Sequence, residues 1–245
     1  MTRTRSRPFR AAAVPAAGML LAAAVLLSGC SALDGLTGSD EPSSTPSASP
    51  TATATPYPSQ FTRDGTFQSH IEINGMDYVY TLYPTKSTPR TNEWYPRGNK
   101  YFSFTFQAYD LNRGIRDPFA TKRRAYLSRI TVESDTVTTG GGRVEHPYEL
   151  DAEAKSVTFD PEPLSTKYGM LITSPKGAFE LRNQKIRPTS LNTRGIDLHF
   201  TAVVWVEESP GSERFDKLVI KQKVPIAIFP SKEPTKAQSI PVDAN

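Results

Sequence analysis

The chain has one cysteine and three histidines in 245 residues. The lone thiol, Cys30, has no intramolecular partner, so the fold has no internal disulfide to lean on. His70, His146 and His199 lie far apart in sequence, and none has a second His or a Cys at metal-ligand spacing. Also missing is any apolar pattern of period 3.6 sustained over about twelve residues. That absence excludes a helical bundle, and it excludes the two α/β lobes of a transporter's solute-binding protein. There is no Gly-x-Ser-x-Gly nucleophile elbow, no Ser-x-x-Lys pair around Ser174 and Lys176, and no glycine-rich phosphate loop. No cofactor and no metal are expected from such a sequence.

Net charge points to no partner either. The 29 Lys and Arg outnumber 25 Asp and Glu, but Arg3, Arg5, Arg7 and Arg10 all precede the first apolar run. The rest of the chain balances. A pI of about 9.1 is therefore no argument for nucleic acid as a partner.

What is present begins with an address. The basic start leads into residues 11–29, a run without any charge that ends in small residues, the layout of a secretory signal. Pro15 and Gly18 weaken a membrane-spanning reading of that run. Leu27-Ser28-Gly29-Cys30 resembles the lipobox of bacterial lipoproteins, in which cleavage falls just before a cysteine whose sulfur carries diacylglycerol. The resemblance implies that residues 1–29 are removed, that Cys30 is lipidated, and that the mature chain is held outside the cytoplasm on the cell membrane. Thiol catalysis is then excluded. Residues 30–60 form a tether: 39–59 are almost entirely Ser, Thr, Pro and Ala, with Tyr57 as the one large apolar group. Such a composition cannot bury enough surface to offset its ordering entropy.

From residue 61 to 230 the composition changes to that of a single folded domain, followed by a C-terminal tail over 231–245. Its opening has two alternating runs around Asn74-Gly75, the pair that best supports a type I′ turn. That turn sets Phe67, Ser69, Ile71 and Ile73 opposite Leu82, Tyr80, Tyr78 and Met76, all on one face. Further strand-like runs cover 100–109, 126–139, 156–160, 169–174, 178–182, 195–208 and 215–229, with Pro225 marking the last as an edge strand or a bulge. Many short alternating strands with turn punctuation predict an all-β fold, an antiparallel sandwich of immunoglobulin or jelly-roll type, with a barrel as the alternative.

Two surfaces stand out as candidates for binding. Residues 91–101 carry Trp94, Tyr95 and Tyr101 beside Arg97 and Lys100, an aromatic loop suited to sugar rings or a protein, unless Trp94 plugs the end of the sandwich. Residues 113–129 hold six basic side chains, among them Arg123 and Arg124, against Asp117 alone, while 145–162 hold six acidic ones against Lys155. The basic stretch could meet anionic lipid or wall polymer, or the two could pair within the fold. Asp110 and Asn112 are a faint echo of a calcium loop, without its glycine and distant Glu. Asp160 and Glu162 could serve glycan hydrolysis, although the flanking prolines read as a turn. The expectation is a lipid-anchored module that binds an envelope protein or wall glycan, with an envelope hydrolase as the alternative.

Overall fold

A computed structural model describes residues 57–87, 93–231 and 238–239. The signal-like run, Cys30, most of the tether and most of the tail lie outside the described residues. A short helix, α1 (Gln60–Asp64), leads into β1 (Phe67–Ile73), β2 (Met76–Pro84), β3 (Lys86–Ser87), β4 (Lys100–Asp110), β5 (Ala125–Thr138) and β6 (Leu150–Glu153). A second helical turn, α2 (Ala154–Val157), precedes β7 (Ser165–Thr166), β8 (Gly169–Leu171), β9 (Phe179–Ile186), β10 (Thr193–Glu207), β11 (Phe215–Ala227) and β12 (Gln238–Ser239).

The strands form an all-β sandwich whose sheets do not close into a barrel. The smaller sheet has the order β1-β2-β4-β9, and the larger β11-β10-β5-β8-β7, with β6 also paired to β5. A separate two-stranded pairing joins β3 to β12. The first hairpin has the register that its alternation predicts, from Phe67 opposite Leu82 to Ile73 opposite Met76. Asn74 and Gly75 take φ values of 51° and 72°, the left-handed pair that a two-residue turn of this hand requires. Pro225 sits on β11, the edge strand of the larger sheet, where a missing N–H breaks no ladder.

The core is aromatic on one side and largely aliphatic on the other. Tyr78, Tyr80, Phe102, Phe104 and Phe106 of the smaller sheet meet Leu198, Phe200, Ala202 and Val204 of the larger, all buried. Tyr80 stacks on Phe106 at 4.2 Å, and Phe104 meets Phe200 edge-on at 5.0 Å. Each such ring contributes about 1.5–3 kcal/mol by leaving water.

β5 breaks the simple alternation. Ile130, Val132, Ser134 and Thr136 face inward, but so do Leu127 and Ala125, of the opposite parity. The register against β10 slips between Val203, opposite Arg129, and Val204, opposite Leu127, leaving Ser128 as an extra residue. Its hydroxyl donates to the Val203 carbonyl at 3.0 Å and fixes this bulge. Tyr126 is thereby turned to the outer face.

Two expectations are corrected. Residues 156–160 do not form a strand: α2 and a turn occupy them, since β6 already pairs with β5 over residues 129–132. Pro161 and Pro163 also deny the segment ladder donors. The domain also starts earlier than its composition indicates. Ser59 caps α1 by accepting from the Thr62 N–H at 3.1 Å, and the Tyr57 hydroxyl donates to Asp197 on the outer face of β10. The Tyr57 ring lies against Gly195.

The hairpin register separates two neighbours sharply. Tyr78→Ala should lower unfolding free energy in urea by about 3–5 kcal/mol, the range for a buried ring, whereas Glu72→Ala should stay within about 0.5 kcal/mol. Because the buried Tyr80 hydroxyl has no hydrogen-bond partner among the described residues, Tyr80→Phe should not destabilise, and comparable losses for all three would reject the packing described.

Candidate functional site

The aromatic loop proves to be a seal. Trp94 is fully buried, its ring 4.8 Å from that of Phe61 in α1, and its carbonyl accepts from the Phe229 N–H at 2.8 Å. It therefore cannot be the exposed ring of a binding loop. The alternative reading, a plug in the end of the sandwich, is what the chain adopts. Tyr95 is half-buried, with its hydroxyl 3.0 Å from Glu93 and its ring against Phe229. Tyr101 is half-buried on β4, and Arg97 is exposed on the turn. Beneath them Lys100 is 1% exposed, its ammonium donating to the carbonyls of Gly98 at 2.9 Å and Pro96 at 3.3 Å. Burial lowers its pKa to about 8.

Arg123 and Arg124 of the basic stretch are consumed by the fold as well. Arg123 is nearly buried against Asp110 at 2.8 Å, and it also donates to the carbonyls of Asn74 and Gly75, tying the first hairpin's turn to the start of β5. Burial opposes ionisation of Asp110, but the bonds from Arg123 prevail and hold its carboxyl below the usual range. The calcium-loop echo thus ends in an arginine salt bridge. Arg124 grips the fully buried Glu207 carboxylate at 2.5 and 3.0 Å. Desolvation of Glu207 is again outweighed, and its pKa is lowered. One pair does link the basic and acidic stretches, Arg129 to Asp151 at 2.5 Å on the surface.

The remaining sequence candidates do not assemble into a reaction centre. Asp160 accepts the Glu162 N–H at 3.0 Å, as an exposed turn requires. Asp135 lies 2.9 Å from His146 and 3.4 Å from His199, but no group of three or more His, Cys, Asp or Glu among the described residues is placed to hold a metal. His70 is paired with Asp77 at 2.7 Å and shares a 280 Å³ depression with Ser174. Strands β2 and β4 intervene, putting their backbones roughly 14 Å apart at ~4.8 Å per strand. That is too far for a nucleophile and its base.

A different constellation occupies the outer face of the larger sheet, at the end remote from Tyr57. Trp205 on β10 is flanked across the ladder by Tyr126 on β5 and Lys217 on β11. Phe215 joins from the start of β11, with its ring 5.7 Å from that of Tyr126. Tyr168, in the turn between β7 and β8, closes the group at 4.3 Å from Phe215 and 5.4 Å from Trp205. That hairpin can lie so close only because of Gly169, with φ of 118°: a Cβ there would be 2.2 Å from the Leu127 carbonyl oxygen. Tyr168, Trp205 and Phe215 are each half-buried, and Val219, 55% exposed, extends the apolar stripe along β11.

Cations ring this patch. The Lys167 ammonium sits 5.1 Å from the centre of the Tyr168 ring, and that of Lys217 5.9 Å from Trp205. Neither forms a salt bridge among the described residues. Arg124, neutralised by Glu207, lies 5.7 Å from the Phe215 ring and buttresses it. A hollow of 240 Å³ opens between Arg124, Tyr126, Thr166, Lys167, Tyr168 and Phe215, with Glu213 at its rim. Partly exposed ring faces with hydrogen-bonding groups around them suit a flat ligand that has both C–H faces and polar edges. No protein-family model matches the chain, and no curated protein matches it.

Of these residues only Arg124 was a sequence candidate. Trp205 was legible: it has the parity opposite to Ile196, Leu198, Phe200 and Val204, and so points outward. Tyr126 and Tyr168 carry no such signal, because a bulge and a hairpin crossing place them.

Lys100 provides a test of the seal. Its lowered pKa means that the unfolded chain binds the proton more tightly, so stability should rise with pH from about 8 towards the usual lysine value of about 10.4. Urea unfolding at neutral pH and near pH 9.5 should show that rise in the native protein and a flatter dependence in Lys100→Met. Identical slopes would refute the burial of a titrating Lys100.

Proposed function

We propose that this chain is an envelope-anchored binding module, lipidated at Cys30, whose sandwich recognises a wall glycan through Tyr126, Tyr168, Trp205 and Phe215. The observation that carries the reading is the clustering of three half-buried rings, Tyr168, Trp205 and Phe215, beside the buried Tyr126 on a sheet face, with lysines that form no salt bridge among the described residues over two of them. A sheet face that merely met water would be expected to carry polar side chains. Rigid aromatic platforms supply large contact area at low entropic cost, and sugar rings present flat C–H faces to them. The address supports a glycan as the ligand, since a lipobox-type leader places the domain beside wall polymers. Anchoring by Cys30 follows from acyl chains, each CH₂ contributing about 0.8 kcal/mol when buried in lipid.

The patch stands at the far end of β10 from Tyr57. Ten residues separate Gly195, on which Tyr57 rests, from Trp205. At ~3.3 Å per residue that is roughly 33 Å. The tether therefore enters well away from the rings that would hold the glycan.

Cys30→Ser should release the protein from the membrane fraction or block its processing, and an unchanged distribution at the mature size would reject lipidation. In detergent-solubilised full-length protein, Trp205→Ala together with Tyr168→Ala should weaken sedimentation with insoluble wall polysaccharide by at least about tenfold. Melting should shift by only a few degrees, because these rings lie outside the core. Unchanged co-sedimentation would remove the glycan reading.

A further inference from the structure

We propose that the glycan is acidic, carrying carboxylate or phosphate groups that Lys167 and Lys217 receive while the sugar ring stacks on Trp205 and Tyr168. This rests on the glycan-binding reading of the same patch and adds the chemical class of its ligand.

The argument is one of unbalanced charge. Around the rings, the basic groups divide into those already answered within the fold and those left over. Arg124 is held bidentately by Glu207, and Lys223, further along β11, by Asp197 at 2.7 Å. Lys167 and Lys217 are exposed, make no salt bridge among the described residues, and each sits over an aromatic face. Lys221, four residues beyond Lys217 on the same face of β11, is exposed as well. Against them the hollow has one carboxylate, Glu213, and it lies on the Arg124 side. The local field therefore favours an anion.

The placement of the ammoniums makes the attraction specific. A ring face occupies one side of each ammonium, leaving its other N–H donors directed to whatever lies on the patch. A sugar stacked on Trp205 brings its ring substituents to the edge of the indole, where Lys217 stands as its cross-strand neighbour. A sugar on Tyr168 does the same for Lys167, the adjacent residue. To the charge-assisted hydrogen bond that an ammonium gives any oxygen, an anionic oxygen adds ion–ion attraction. A neutral sugar would gain the stacking and forgo that attraction. Because the lysines are exposed, salt screens their contribution over about 8 Å at physiological ionic strength.

The test uses the detergent-solubilised full-length protein and four probes: an oligogalacturonate, its carboxyl-reduced neutral counterpart, the same neutral oligomer bearing phosphomonoesters, and poly(glycerol phosphate), which has charge without sugar rings. Equilibrium affinities are measured at low and high salt. One or both acidic oligosaccharides should bind at least about tenfold tighter than the neutral one at low salt, the two acidic arms distinguishing carboxylate from phosphate. Lys167→Gln with Lys217→Gln should abolish that preference and its salt dependence while lowering neutral-sugar affinity far less than acidic-sugar affinity, and Lys→Arg at both positions should retain the preference. Trp205→Ala should weaken acidic and neutral sugars alike. Equal affinity for acidic and neutral oligomers would overturn the acidic class while glycan binding stands. Tight poly(glycerol phosphate) binding that ignores Trp205→Ala would overturn it in favour of charge alone. Binding to none of the sugars would overturn this inference and the glycan reading together.

Discussion

One extra residue in β5 decides what the outer face of this domain displays. With strict alternation from Ile130 backwards, Tyr126 would point into the core and Leu127 outward. Ser128 is inserted opposite Val203 and held there by its own hydroxyl, so the parity reverses over the last residues before the strand's start. Leu127 then fills the core, and Tyr126 stands beside Trp205. The β7–β8 hairpin is fitted against this altered edge, with Gly169 drawn up to the Leu127 carbonyl, and it lays Tyr168 over Phe215. The aromatic patch is thus the product of a bulge, a glycine approach and an outward tryptophan acting together.

The charges show a division of labour. Arg123 and Arg124 are adjacent, yet each turns to a different buried carboxylate, Asp110 at the end of β4 and Glu207 at the end of β10. Both carboxylates are held ionised against their own desolvation by bidentate arginine contacts. Removing either partner would strand a charge in a poorly solvated place, which is far worse than the loss of an exposed pair. The basic segment that looks sticky in sequence thus pins the start of β5 to both sheets. Lys167 and Lys217 on the outer face, by contrast, form no salt bridge among the described residues.

Much of the framework was legible before the structure. Asn74-Gly75 specifies its own turn, and the alternation of Phe102, Phe104, Phe106 and of Ile196 through Val206 specifies which faces turn inward. Pro225 marks its strand as an edge for a reason confined to one N–H. What was not legible depends on distant contacts. Whether Trp94 is an exposed ring or a plug stays open in the sequence until Phe61 is brought against it. Tyr57 reads as part of a disordered stretch until Asp197, 140 positions away, accepts its proton donor. Tyr126 reads as core by parity, and only the pairing with β10 shows the slip at Ser128. Local patterns set the strands and their faces; the ends and the aromatic patch are set by tertiary packing.

Tyr57 and the aromatic patch mark the two ends of β10 on a single face, and this has a mechanical consequence. A domain restrained at its N-terminal end while gripping a polymer at Trp205 would be pulled nearly parallel to β10, with β5 and β11 paired along either side of it. The ladder bonds run perpendicular to the strands, so they lie across the pull and bear it in shear. They must fail together, whereas bonds opened from one end part singly. The longest ladders among the described residues therefore lie along the line that such a pull would take.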